Sequence, residues 1–390
     1  MGSVKRHANG RWRARYRDES GREHARHFAR KIDAERWLST VQADMLRGTY
    51  VDPRAGRVTF RDYAERWRSI QVHRPTTRAQ IETHLRRNVY PYLGDRPIGS
   101  IRRSEVQAWI RRLVTTGEGR RALAPSTVEV VYRYVVAVFR SAVADRVIVT
   151  SPCVDVRLPK GKPWRVEPIS TDAVMGLVDA VEPRYRALIV LGAGTGLRQG
   201  EAVGVELDQV DFLRRTLDVR QQLVVVAREE PKVAPPKTAG SYRMVPLPRI
   251  VVDALAAHVA EFPPAAVELE DVSGPEPVRR PVRLLFTTPD GRPLRRTSFS
   301  AGVWQKARAG AGLPDSVTFH DLRHYYASLL IRHNESVKVV QARLGHASAA
   351  ETLDTYSHLW PDSEDRTRIA VDSVLGAEPA ADSMRTGDVR

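Results

Sequence analysis

Six residues in the second half of the chain are of the types needed to break and remake a phosphodiester. They are Arg198 in GTGLRQGE, Lys237 in PPKTAGSYR, His320 and Arg323 in HDLRH, His346 in RLGHAS and Tyr356 in TLDTYSH. Gathered in an ordinary core, so many basic groups would repel one another at high cost. Around a phosphodiester each of them faces an oxygen. A tyrosine hydroxyl beside them is a nucleophile able to form a phosphotyrosine bond. The reaction needs that nucleophile, neutralisation of charge on five-coordinate phosphorus, and a proton donor for the leaving oxygen. The sequence has no EF-hand loop, no P-loop and no tight acidic cluster for paired magnesium ions. Metal-dependent and nucleotide-driven routes are therefore unsupported, and neither a metal site nor a cofactor is expected.

Local spacing says how each group is carried. Arg198 follows Gly194-Thr195-Gly196 and stands near the start of a helix, where turn freedom and the helix N-terminus both favour phosphate. Its forked guanidinium can grip two oxygens at once, which a lysine cannot. The competing reading is a salt bridge to Glu201, which is expected to orient the site. Lys237 lies between two strand signals, on an expected hairpin turn, with Lys232 on the same arm as its competitor. His320 and Arg323 share a helical face, joining a bidentate clamp to a group that titrates near neutrality. His324 with His320 lacks a third ligand for a metal and is assigned no catalytic role. Gly345 ends one helix before His346, and Ser348 with Glu351 forms a capping box for the next, which ends at Tyr356. The chain holds 12 tyrosines. Tyr325 and Tyr326 follow Arg323 too closely to aim at the same phosphate, and Tyr242 belongs to the hairpin. A phenol with a pKa of about 10 must lose its proton as it attacks, and cationic neighbours lower that cost.

The elements ahead of these motifs divide the chain. In RWRARYR, strict alternation puts Arg11, Arg13, Arg15 and Arg17 on one face of a strand, with Trp12, Ala14 and Tyr16 on the other. A turn at Asp18–Gly21, a second strand through Phe28 and a helix from about Asp33 to Leu46 follow, the helix carrying Trp37, Leu38, Val41 and Met45 on one side. The first fifty residues hold twelve Lys/Arg against six Asp/Glu, so this arginine comb is expected to touch nucleic acid. After a linker at 47–57, four helices are expected up to about residue 150, the last entered at Pro125 with Ser126 or Thr127 beside it. Arg78, His84, Arg86 and Arg87 give that bundle a basic side. SPCVDVRLPKGKPWR reads as an interdomain linker. Beyond it, a mostly helical body is interrupted by strand signals at Leu217–Val226 and Tyr242–Leu247, and Pro263–Arg283 reads as a surface insertion.

Composition agrees with a polyanionic partner. The 390 residues carry a net charge of +16, and 42% are hydrophobic, enough for packed cores. Cys153 is the single cysteine, which excludes intrachain disulfides and fits a reducing compartment. The N-terminus lacks a signal-peptide stretch, and no run of about 18 apolar residues suggests a membrane span. A cytoplasmic protein, bound to the nucleoid when on DNA and with no membrane partner, is expected.

The order, motifs and spacing of the six residues resemble the tyrosine recombinases, the phage integrase family. The resemblance covers most of the chain. It implies a multidomain, mainly α fold with small β elements: an N-terminal three-stranded sheet plus helix, a helical core-binding domain and a mixed α/β catalytic domain. The expected boundaries are 1–50 for an arm-type DNA-binding domain, 58–150 for the core-binding domain, 166–370 for the catalytic domain and 371–390 for a flexible tail. It implies Tyr356 as nucleophile, Arg198 as the first catalytic arginine, Lys237 as general acid and His346 as a hydrogen-bond donor to the phosphate. It further implies double-stranded attachment sites as substrate, a tetramer passing through a Holliday junction, residues after Pro361 packing on a neighbouring protomer, and an excisionase and a DNA-bending host protein as partners. Integration or excision of a phage or other mobile element is the expected activity. A type IB topoisomerase and a DNA-binding regulator with a dead site are the rivals.

Overall fold

The computed structural model describes residues 2–18, 21–117, 121–161, 165–226, 229–360 and 364–375. They form two compact units, Met1–Trp164 and Arg165–Arg390.

The first unit opens with an antiparallel sheet in the order β1 (Ser3–Arg6), β2 (Trp12–Arg17), β3 (Glu23–Phe28). Alternation holds on β2: Ala14 and Tyr16 are buried, while Arg15 and Arg17 are exposed. Arg11 is also exposed but precedes the strand, so the comb is one residue shorter than expected. Arg13, Arg15 and Arg17 all reach Glu23 on β3, at 3.3, 3.8 and 4.0 Å. Helix α1 (Lys31–Leu46) covers the other face through Ala34 and Leu38. His24 Nε2 meets Asp18 Oδ2 at 2.7 Å, its Nδ1 lies 3.8 Å from Asp52 Oδ1, and the Tyr16 and Tyr50 hydroxyls bond at 2.8 Å. These contacts fasten the segment after α1 to the sheet. Asp18, His24 and Asp52 place ligand-type atoms within 4.8 Å of one another, the one such group of three among the described residues.

Helices α2 (Phe60–Ile70), α3 (Pro75–His84), α4 (Arg103–Val114) and α5 (Pro125–Ala144) follow. The chain after α3 stays coiled through Leu85–Gly94 but with wider turns. Pro91 lies inside that stretch, and a proline that lacks an N–H breaks regular α bonding. Phe60, Ile81, Trp109, Leu113 and Phe139 fill the core, with Phe60 and Phe139 5.2 Å apart. Pro125 is the first helical residue of α5, as expected, with Ala124 as the residue that precedes it at the cap.

The second unit packs α6 (Thr171–Ala180), α7 (Pro183–Thr195) and α8 (Gln199–Val203) beside two small sheets. One has the order β4 (Val210–Asp211), β5 (Thr216–Val219), β8 (Arg243–Pro246). The other runs β10 (Val278–Val282), β9 (Val267–Asp271), β7 (Lys232–Ala234), β6 (Gln222–Val224). The stretch 217–226, expected as one strand, is therefore two, feeding different sheets. The stretch expected as a surface insertion contributes β9 and β10, and it buries Leu269 and Val282. Helices α9 (Arg249–Glu261), α10 (Arg296–Ser298), α11 (Gln305–Gly310), α12 (Phe319–Arg332), α13 (Val337–Leu344), α14 (Ala349–Tyr356) and α15 (Glu364–Leu375) complete the unit. Helix α7 sits between α6, α9 and α12. Leu188, Leu191, Leu217, Val245, Leu255, Phe286 and Leu322 form the core, each side chain worth roughly 1.5–3 kcal/mol of burial. The tail expected from 371 onward begins as helix, since α15 runs to Leu375; residues 376–390 lie outside the described residues.

Candidate active site

The site is built on two glycine turns. Helix α7 ends where Gly196 turns left-handed, at φ 64°. A side chain there would meet Tyr326 Cδ1 at 2.5 Å. The turn aims the Gly196 carbonyl at Arg323 Nη1, 2.7 Å away, and sets Arg198 at the cap of α8. Gly345 closes α13 in the same way, at φ 66°. The Leu344 carbonyl then accepts from Arg323 Nη2 at 2.7 Å, and the Gly345 carbonyl from Arg198 Nη2 at 3.4 Å. Glycine is required at both positions because an L side chain is strained in this backbone region.

Arg323 is 2% exposed. Burial, and then the charge of Arg198, lower its pKa, but a guanidinium stays protonated throughout the physiological range. Arg198 donates to Glu201 Oε1 at 3.0 Å and to Ser241 Oγ at 3.1 Å. Glu201 also accepts from Arg243 Nη2 at 3.0 Å. Burial alone would raise the Glu201 carboxyl, yet Arg243 and Arg198 reverse this and hold it below its ordinary value. Three guanidiniums thus act on one carboxylate, which leaves a positive surplus fit for an anion.

The histidines and the phenol lie on the neighbouring helices. Thr318 caps α12, and His320 stands in its first turn, exposed at its surface. The protein packed around the ring, and then His324 and Arg323, push His320 down to about 4; water at its open side moderates that shift. His346 is buried, its Nδ1 bonded to Thr352 Oγ1 at 2.8 Å and its Nε2 3.9 Å from Glu351 Oε1. Burial, followed by the Arg323 charge, pushes it down to about 4. Its ring lies parallel to that of Tyr356, with centroids 6.3 Å apart and planes at 12°. Tyr356, at the end of α14, is 1% exposed and bonds His324 Nδ1 at 2.8 Å. Burial pushes its phenol up to about 12, with Arg323 pulling the other way. Ser348 caps α14 as expected, but the reciprocal bond of Glu351 goes to the Ala347 amide.

Lys237 is exposed in the turn after β7, ahead of β8 in the other sheet. It is therefore not on a hairpin between paired strands; the β6–β7 pair is the hairpin, and Lys237 lies beyond it. Its turn is nonetheless anchored at the site. Ser241 holds Arg198, Thr238 bonds Ser241 at 2.9 Å, and Gly240 packs beside the His346 carbonyl. Lys237 has no ion-pair partner among the described residues, whereas Lys232 is committed to Glu229 at 2.9 Å and Glu270 at 3.0 Å.

The structure thus gathers Arg198, Glu201, His320, Arg323, His346 and Tyr356, with the Lys237 turn alongside. Arg11, Arg13, Arg15, Arg17, Arg78, Arg86 and Arg87 belong to the first unit; Arg78 is exposed in the first turn of α3, and Arg86 and Arg87 are exposed just beyond its end. Two residues of the site, Ser241 and Arg243, went unread in the sequence, and His324, given no catalytic role there, touches Tyr356. Arg243 spans Glu201, the Ser241 carbonyl and the Arg343 carbonyl. Only its position one strand register from the Lys237 turn hinted at it, and nothing local tied His324 to a tyrosine 32 positions away.

Residues 168–362 match the phage integrase family, residues 1–47 the phage integrase N-terminal domain and residues 60–158 the phage integrase central domain. The integrase of Mycobacterium phage FRAT1 is 27% identical over 327 residues, covering 81% of this chain and 91% of its own. The tyrosine recombinase XerC-like protein of Caldanaerobacter subterraneus is 26% identical over 371 residues, 88% of this chain and 90% of its own. Among solved structures, the Tn1549 transposon integrase in complex with transposon right end DNA superposes with a TM-score of 0.68 at 21% identity, over 82% of this chain and 100% of the other. The lambda integrase tetramer bound to a Holliday junction gives 0.58 at 19% identity, over 93% and 98%. With half the chain inside the catalytic family match and relatives aligned along nearly their whole length, the protein belongs to the phage integrase family, the tyrosine recombinases that integrate and excise mobile DNA at specific sites.

Proposed function

We propose that Tyr356 attacks the scissile phosphate, forming a 3′-phosphotyrosyl link and releasing a 5′-hydroxyl. Arg198 and Arg323 take the non-bridging oxygens, His346 and His320 support the phosphate, and Glu201 fixes Arg198. Lys237 swings in from its exposed turn to protonate the 5′ oxygen. A hydroxyl from a partner duplex then reverses the step, and four protomers exchange two strand pairs through a Holliday junction. Residues 1–50 read arm sites through Arg11, Arg13, Arg15 and Arg17. Residues 58–150 grip the core site with Arg78, Arg86 and Arg87, and residues 166–370 do the chemistry. The stretch from Pro361 on packs against the next protomer. An excisionase and a DNA-bending host protein set direction, in the cytoplasm on the nucleoid. The observation that carries this reading is the buried Tyr356 phenol set beside Arg323 and His346, in a site where three guanidiniums share one carboxylate.

The test is a nicked duplex carrying the protein's own attachment sequence, run on a denaturing gel. The wild type gives a covalent band, Tyr356→Phe gives none, and Lys237→Met slows its formation by about 10²–10⁴-fold with DNA binding intact. Salt-sensitive binding with no adduct would favour a regulator with a dead site. An adduct in Tyr356→Phe would place the nucleophile elsewhere.

A further inference from the structure

The hydroxyl of Tyr356 touches a histidine, and it is not one of the two that the chemical motifs select. His324 Nδ1 lies 2.8 Å from Tyr356 Oη, with both residues buried. The rings meet at 65° with centroids 5.6 Å apart, so the imidazole approaches the phenol in its own plane at the nitrogen and does not stack on it. His346 does stack, and its Nδ1 is engaged by Thr352 at 2.8 Å. His320 meets His324 edge to face at 4.7 Å, one helical turn earlier on α12. Of the three imidazoles around the site, the one within hydrogen-bond reach of the reacting oxygen is His324.

We propose that His324 is the catalytic base of the cleavage step, taking the phenol proton of Tyr356 on Nδ1 as the phosphorus is attacked. The inference rests on the recombinase reading above. As the Tyr356 Oη–phosphorus bond forms, the phenol O–H breaks and its proton passes to His324, which becomes an imidazolium. The phosphorus–O5′ bond breaks, and the Lys237 ammonium gives its proton to the departing oxygen. On rejoining, a 5′-hydroxyl attacks, its proton returns to Lys237, and the imidazolium returns its proton to the phenol. No proton is gained or lost over the cycle. Burial of His324 favours the neutral ring, although Asp321 opposes this; a neutral ring has one bare nitrogen to accept with. One helix, α12, then carries the phosphate clamp at Arg323 and the proton acceptor at the next residue.

Two measurements decide this. The first needs no DNA: nitrogen NMR of the full chain labelled with ¹⁵N-histidine. Nδ1 of His324 is expected bare, with Nε2 protonated, and its signal should move in Tyr356→Phe. A proton on Nδ1, donated to the phenol oxygen, overturns the proposal. The second uses the same attachment duplex with sulfur replacing the bridging 5′ oxygen at the scissile phosphate, a leaving group that departs without a proton. Lys237→Met should recover to within about tenfold of wild type on it, while His324→Asn stays slower by about 10²–10⁴-fold. The asparagine amide sits where Nδ1 was and can hold the phenol, but it cannot take its proton, so a purely positioning role predicts near-normal rates. Cleavage by His324→Asn at the wild-type rate, or its rescue together with Lys237→Met, sinks the idea. Failure of the wild type itself to cleave would count against the recombinase reading, and the NMR result would still stand on its own.

Discussion

Two glutamates in this protein each collect a fan of arginines, and what separates them is water. On the N-terminal sheet, Arg13, Arg15 and Arg17 approach Glu23 at 3.3, 3.8 and 4.0 Å, and the Glu23 side chain remains 35% exposed. In the second unit, Arg198 and Arg243 each reach Glu201 at 3.0 Å, and that side chain is 1% exposed. In water such pairs are worth about 0–1 kcal/mol and exchange freely, so the sheet arginines can trade Glu23 for a phosphate. Away from water every donor must be met, and carbonyls of Gly196, Leu344 and Gly345 meet those of Arg323 and Arg198. The same charge surplus makes an adjustable surface in one place and a fixed anion cradle in the other.

Removing the carboxylates is the strongest way to break this contrast. Glu201→Gln leaves Arg198 and Arg243 facing each other and Arg323 without a counter-charge, and should destabilise the fold by about 3–5 kcal/mol. Glu23→Gln should cost under about 1 kcal/mol. Urea denaturation of the two variants reads both numbers. Equal costs would mean that burial does not distinguish the two fans.

The buried cluster should also respond to acid. His346 is pushed down to about 4 in the folded protein, from an ordinary value of about 6.5. Its contribution is therefore complete above pH of about 6.5 and is lost as pH falls from there toward 4, because the unfolded chain binds the proton first. The loss should be on the order of 2–3 kcal/mol, and it should be absent from His346→Gln. Urea midpoints of both proteins between pH 7 and 4.5 give the comparison. Parallel curves would show that His346 titrates no differently when folded.

The two fans were unequally legible. Alternation in RWRARYR announced the surface comb, since a strand's faces follow directly from a period of two. Even so, Arg11 fell outside the strand, because pairing with β3 begins at Trp12 opposite Phe28. In the buried site, Arg198, Arg323, His346 and Tyr356 were readable because each sits at a helix end or on a helix face marked by its own glycine, cap or spacing. His324 and Arg243 were not, because their partners are set by tertiary packing across tens of residues. The same limit explains the strands: 217–226 has one apolar pattern, yet β5 and β6 part at Arg220 and Gln221 to join different sheets. Gln221 is pinned there by the Gly204 carbonyl at 2.8 Å and Glu206 at 2.9 Å, and no local period encodes those bonds.

The gentlest test works on the exposed fan alone. If Arg13, Arg15 and Arg17 each replace part of their hold on Glu23 with a phosphate, changing one to Gln should lower the slope of log affinity against log salt by about 0.9. It should leave the unfolding free energy within about 0.5 kcal/mol of wild type. Glu23→Gln should act in the opposite sense, since it releases all three guanidiniums to the DNA and removes a charge that repels it. Tighter binding by Glu23→Gln at low salt, converging with wild type at high salt, would tie the effect to the arginines. A salt slope unmoved by all four variants would mean that the comb faces solvent when the protein is on DNA. The surplus charge of the N-terminal sheet would then serve solubility rather than recognition.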